Sequence, residues 1–273
     1  FDHHVPVVVG SSMEDGSLFA WFSFPVYGPE KPYLDYVLKK SFEGFGDEVL
    51  ERYPSSSYKD EYWRFSDILT DCAWHCPMEF VTSSFAEKGK APARRYIFNF
   101  RFNDSSDLFG IFHASELTLI FENPSGNYLF PRYFTPQETK FSRYFTNVIA
   151  RFARDLLTEE EWPAYESTNA HYLLAGNVNT TEVSIHKNFR QDKCKFWQAS
   201  LPHGLMKFPK GLYSEEGWRS NIMNNIFWTF SNYEEHFTQT NGILALIGSL
   251  LCASLVVKLI AKVSSFVRGT KTV

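Results

Sequence analysis

The chain has 273 residues, a formal net charge of −4, and is 44% hydrophobic and 18% aromatic. So many aromatics with so little net charge exclude an intrinsically disordered chain, and 15 Gly and 13 Pro are too few for a collagen-like one. A pI near 6.1 lacks the basic footprint of nucleic-acid binding, so no nucleic acid is expected as a partner.

The chain opens Phe1-Asp2-His3-His4, with no initiator Met and no apolar leader, and Val5 to Val9 reads at once as a buried strand ending at Gly10. A domain rarely begins mid-core, so this is expected to be the C-terminal portion of a longer polypeptide. Pro32 to Tyr53 has helical character, with Leu34, Val37 and Leu38 on one face and Val49 and Leu50 further on. Phe65, Ile68, Leu69, Cys72 and Cys76 recur at helical spacing across Phe65 to Phe80. Arg95 to Phe102 is rich in aromatics and reads as a strand. Thr135-Pro136-Gln137-Glu138 is a helix start, with Thr as the cap, Pro at the first helical position and Glu completing a capping box. Phe141, Phe145, Val148, Ile149 and Phe152 then form an apolar stripe that reads as core. Alternating strands and helices favour an α/β fold over residues 1–200. Residues 201–241 have weaker periodicity and read as a juxtamembrane stalk or an extra subdomain.

Gly242 to Val257 carries no charge. A span needs about 20 mostly apolar residues. Lys258 can snorkel to the headgroups, which extends the expected transmembrane helix over 242–261. Glu234 and Glu235 precede it, whereas Lys258, Lys262, Arg268 and Lys271 follow it. That asymmetry predicts a single-pass type I protein with a cytoplasmic tail at 262–273 and its bulk outside or in a lumen. An external location agrees with the glycosylation sequons at Asn103 and Asn179. Cys252 falls in the apolar run. Cys72, Cys76 and Cys194 remain, and one disulfide plus one free thiol is the simplest arrangement in an oxidising compartment.

Three places could carry chemistry. Gly10 to Ser17 is a Gly-containing turn after the first strand, and its acids, Glu14 and Asp15, are placed to orient a histidine. His113, in Phe112-His113-Ala114-Ser115-Glu116-Leu117, is a lone histidine between apolar runs. Cys72-Ala73-Trp74-His75-Cys76 has metal-ligand residue types but no second ligand pair at zinc spacing, and His3-His4 reads as an exposed pair. No metal and no cofactor are expected.

The order of these pieces resembles the C-terminal half of the type B carboxylesterase/cholinesterase family, within the α/β-hydrolase fold. The resemblance runs from about Val5 to Trp197. Val5 to Gly10 followed by Met13-Glu14-Asp15-Gly16-Ser17 looks like the family's strand and acid loop. Phe45 to Pro54, and Ser66 to Asp71 with Cys76-Pro77, look like its next helical segments. His113-Ala114-Ser115-Glu116-Leu117 resembles its His-Gly-x-Glu-Leu motif. Phe141 to Ala153, Trp162-Pro163-Ala164-Tyr165 and Cys194-Lys195-Phe196-Trp197 are similar to later landmarks. The resemblance implies half of an α/β-hydrolase sheet with flanking helices, His113 as general base, Asp15 as its acid, Glu116 as a supporting residue and a Cys76–Cys194 disulfide that leaves Cys72 free. Asp15 stands where the family usually has Glu, and Gly16 favours it over Glu14. Ala114 stands where the family has Gly.

No Gly-x-Ser-x-Gly elbow occurs in the 273 residues, so the nucleophile is expected upstream. Two functions follow from the resemblance: a membrane-anchored carboxylic ester hydrolase, or a non-catalytic cholinesterase-like adhesion protein. Leu18, where cholinesterases tend to carry an aromatic ring, points away from choline esters. Expected partners are an ester substrate, the membrane, the upstream half of the same polypeptide and a second copy of the chain.

Overall fold

The computed structural model describes residues 4–24, 28–42, 44–102, 109–123, 133–178 and 180–200. The expected stalk, transmembrane helix and tail lie outside these residues, as do His3, Asn103 and Asn179. Among the described residues no helix is long and apolar enough to cross a membrane.

Four strands form one mixed sheet in the order β1 (Val7–Ser12), β2 (Ala93–Phe100), β3 (His171–Val178), β4 (Thr180–Lys187). The β1–β2 and β2–β3 pairings are parallel, and β3–β4 is antiparallel. Parallel pairing requires long crossovers. Helices α1 (Ser17–Ser23), α2 (Lys31–Ser41), α3 (Gly46–Arg52), α4 (Glu61–Leu69) and α5 (Cys76–Lys88) connect β1 to β2. Helices α6 (Ser115–Ile120) and α7 (Pro136–Ala153) connect β2 to β3, and α8 (Gln191–Ser200) follows β4.

Strand β2 is buried along its whole length. Its residues alternate between two covered faces. Tyr96, Phe98 and Phe100 pack on Phe141 and Phe145 of α7, with the Phe98 and Phe145 rings stacked at 6.2 Å. The expected stripe on α7 is therefore core. The expected capping box is also formed: Thr135 Oγ1 accepts from Glu138 N–H at 3.2 Å, and Glu138 Oε2 accepts from Thr135 N–H at 2.8 Å. Two arginines lie within this buried strand, and a buried charge has to be paired. Arg94 donates to the Trp162 carbonyl at 2.7 Å and to Glu159 at 2.6 Å. Arg95, on the opposite face, is ion-paired with Glu79 of α5 and donates to the His75 carbonyl at 3.1 Å.

A second core gathers helices α1 to α5 and α8 around Leu34, Leu38, Val49, Ile68 and Trp197. A buried polar cluster ties α8 to α4. Arg190 and Lys193 pair with both Asp67 and Asp71. Burial pushes the Asp67 carboxyl up, but the two cations overcome this and hold it down at about 2. Tyr53 donates to Asp71 at 2.8 Å and accepts from the Trp197 indole N–H at 2.8 Å. Cys76 is bonded to Cys194 across 118 residues, and Cys72 is free and buried.

Several sequence expectations change in detail, and the strand expected over Arg95 to Phe102 runs from Ala93 to Phe100. Strand β1 runs on through Gly10 to Ser12, and Val7 to Gly10 are half-buried rather than buried. Among the described residues β1 pairs with β2 alone, which leaves its other edge uncovered by them. Pro32 to Tyr53 is two helices, because Gly44 lies between them with φ +94°, a conformation that ends a helix. Phe65 to Phe80 is continuous helix with a π-helical turn over Thr70–His75, which rotates the residues that follow it.

The Cys76–Cys194 bond closes a long loop. Replacing both cysteines by alanine is expected to lower unfolding stability by about 2–5 kcal/mol. Urea denaturation of the oxidised wild type and the double variant measures the difference.

Candidate active site

Parallel strands end at the same edge of a sheet, and loops leaving their C-terminal ends meet there. The turn after β1 and the segment after β2 do so. Met13 N–H donates to the Phe98 carbonyl at 2.8 Å, and Glu14 N–H to the Ile111 carbonyl at 3.1 Å. Glu14 Oε2 in return accepts from Ile111 N–H at 2.6 Å. Ser17 Oγ donates to the Phe109 carbonyl at 2.6 Å. The Glu14 carboxylate is thus committed to holding the second segment in place.

Asp15 meets the histidine. Its Oδ1 is 2.9 Å from His113 Nδ1. Its Oδ2 accepts from Ser12 N–H at 2.8 Å, across the turn that carries it. Asp15 is buried, whereas the His113 side chain is 43% exposed. The missing methylene relative to Glu does not prevent contact, because the turn folds the Asp15 side chain back over Ser12. Since a carboxylate only accepts, Nδ1 carries the proton and the Nε2 lone pair is left for chemistry. The hydrogen bond to Asp15, helped by the charges of Asp15 and Glu116, raises the His113 pKa against the opposing effect of burial. Burial raises the Asp15 pKa, and its bonds to His113 and Ser12 offset part of that rise.

Glu116 stands behind this pair. Its Oε2 accepts from Ser12 Oγ at 3.0 Å, so Ser12 bridges the two carboxyls through its amide and its hydroxyl. Tyr96 OH donates to Glu116 Oε1 at 3.4 Å. Burial first, and the Asp15 charge second, push the Glu116 carboxyl up. Tyr96 reaches Glu116 by lying across Gly10, its register partner in β1. A Cβ at Gly10 would lie 2.0 Å from the Tyr96 ring. A glycine inside a strand marks such a close approach. That glycine was the only sequence signal for Tyr96, and Ser12 gave none. The Phe19 and Trp74 rings flank the His113 imidazole at 5.5 and 5.4 Å.

The Cys72 to Cys76 segment keeps its metal-ligand residue types buried, bonded or hydrogen-bonded elsewhere. Cys76 is in the disulfide, Cys72 is buried, and the His75 ring contacts Ser11 Oγ at 2.7 Å and the Met13 carbonyl at 3.3 Å. Among the described residues no three His, Cys, Asp or Glu side chains gather as a metal site. His4 is exposed.

The sequence pattern of the carboxylesterase family matches residues 2–197. Two solved structures have a similar fold. A thermophilic PNB esterase is 19% identical with a TM-score of 0.54, and a PNB esterase is 20% identical with a TM-score of 0.53. Each match covers 70% of this chain and 38% of the other, so the chain spans less than two-fifths of the esterases it resembles. At these identities the likeness shows an α/β esterase-like fold.

Ala114, next to the histidine, has φ 64° and ψ 13°. The left-handed conformation costs an L-residue about 1–2 kcal/mol, more than the about 0.4–1 kcal/mol that a glycine adds by loosening the unfolded chain. Ala114→Gly is therefore expected to stabilise the protein by about 0.5–1 kcal/mol, seen as a rise in Tm.

Proposed function

Since the chain belongs to the carboxylesterase family, we propose that it supplies the acid and the general base of a carboxylic ester hydrolase whose nucleophilic serine lies upstream of Phe1. The 2.9 Å contact between His113 Nδ1 and Asp15 Oδ1 is the observation that carries this reading. It supports His113 in the role of base, because a fixed Nδ1–H leaves Nε2 to receive a proton.

In this reading His113 Nε2 takes the serine hydroxyl proton as Oγ bonds to the ester carbonyl carbon. The tetrahedral intermediate collapses when the Nε2 proton passes to the departing alkoxide, which leaves an acyl-serine. Water then repeats the cycle. Nε2 removes its proton, hydroxide adds to the acyl carbon, and the proton returns to serine Oγ as the acid leaves. Asp15 holds the imidazole in the required tautomer and stabilises its charged form. Ser12 N–H holds Asp15, and Glu116 accepts from the Ser12 hydroxyl.

A general carboxylic ester or a lipid ester is the favoured substrate, because Leu18 offers no ring for a choline group. The uncharged run at 242–257 and the basic residues after it support a single membrane span, with the hydrolase part outside and glycans on Asn103 and Asn179.

Native membranes treated with a fluorophosphonate probe, followed by capture through an antibody to the tail, test the reading. A labelled band well above 31.7 kDa is expected. An unlabelled band of that larger size would favour a non-catalytic adhesion protein. His113→Ala is expected to abolish turnover without removing the protein from the surface. Asp15→Asn is expected to lower kcat about 10³–10⁴-fold.

The pH dependence has a definite sign. His113 acts as base only when neutral, and its pKa is raised above the ordinary 6.5. Activity is therefore lost as pH falls through a midpoint above 6.5. Asp15→Asn moves that midpoint down, which a kcat/KM profile measures.

A further inference from the structure

The π-helical turn Thr70–His75 sits against the acid turn. Gly16 N–H donates to Thr70 Oγ1 at 2.8 Å, and one residue of this turn, His75, is completely buried. Its ring touches the segment that leads into Asp15 at two points, one a backbone carbonyl and one a side-chain hydroxyl. Nε2 faces the Met13 carbonyl at 3.3 Å, and Nδ1 lies 2.7 Å from Ser11 Oγ. A carbonyl only accepts, so Nε2 carries the proton and Nδ1 accepts from the Ser11 hydroxyl. Met13 is therefore held on both sides, its N–H by Phe98 of β2 and its C=O by His75. Asp15 is two residues further on.

We propose that His75 is a positioning residue, whose neutral ring bridges Ser11 and Met13 and so fixes the turn that brings the Asp15 carboxylate to His113 Nδ1. This rests on the hydrolase reading above for its meaning in catalysis, though not for its geometry. The π-turn has a role here. It shifts the helical phase so that Trp74 flanks His113 while its neighbour His75 lies under the acid turn.

The surroundings suit a ring that stays neutral. Arg95 of β2 donates to the His75 backbone carbonyl, Arg190 lies ahead of α8, Asp67 comes from α4, and the Phe189 ring packs on the imidazole at 4.8 Å. Burial, then the charges of Arg190 and Arg95, hold the His75 pKa well below the ordinary range, against weaker opposition from Met13 and Asp67. A protonated Nδ1 would no longer accept from Ser11.

The test uses the full-length protein with ¹³C-labelled histidine and three variants, His75→Phe, His75→Gln and Ser11→Ala. The first reading is the NMR titration midpoint of His113, which faces Asp15 and Glu116; the second is kcat against KM on a nitrophenyl ester. His75→Phe is expected to drop the His113 midpoint toward the ordinary histidine range and to lower kcat by about 10–100-fold, with KM little changed. Ser11→Ala is expected to move both in the same direction by less. His75→Gln keeps a donor for the Met13 carbonyl and is expected to recover most of the loss. A His113 midpoint unchanged in folded His75→Phe would overturn the proposal. Should that variant not fold, an unchanged midpoint in Ser11→Ala overturns it. A wild type that hydrolyses no ester and takes no fluorophosphonate would sink the hydrolase reading, while the His113 midpoint would still decide the role of His75.

Discussion

Parallel pairing of β1 with β2 is the constraint on which the site depends. It brings the turn after Ser12 and the segment before Ala114 to one sheet edge, although Asp15 and His113 are 98 residues apart in the chain. An antiparallel pair would have sent these loops to opposite ends. Glu14 completes the join through paired bonds with Ile111. Neighbouring acids in one turn thereby take different tasks, and their bonding partners make the division.

The parallel arrangement has a cost, which is met by helices. A strand buried on both faces must pair the charges it carries, and β2 carries two arginines. Arg94 is answered by the Glu159–Trp162 segment and Arg95 by α5 and the π-turn. The second core depends on the same rule. Asp71 is completely buried, and its charge is met by Arg190, Lys193 and Tyr53. With the Cys76–Cys194 bond, this cluster anchors α8 to the helix pair that flanks the acid turn. The electrostatics of the core and the geometry of the site therefore share one framework.

Departures from the family pattern are absorbed locally. The shorter Asp15 reaches His113 because Ser12 N–H draws its carboxylate back over the turn. Ala114 takes a left-handed conformation and bears its steric cost. Both residues sit in or beside the Asp15–His113 pair, and the contact is made.

The sequence by itself determined the family and some of the elements. Periodicity located α7 and its capping box, because local signals such as Thr135 and Glu138 act within four residues. The motif order identified His113 and Asp15, and the Cys76–Cys194 pairing came from the same resemblance. The tertiary structure decided the partner of each acid in that turn, Ile111 for Glu14 and His113 for Asp15, since both acids have the same chemistry and differ in what the β2 side offers each. It also extended β1 past Gly10, because the reason for that glycine, the Tyr96 ring, lies 86 residues away. The bridge made by Ser12 and the buried post of His75 were invisible in one dimension for the same reason. A hydroxyl or an imidazole states what it can bond, while its partners are chosen by the packing of strands and helices far apart in the chain.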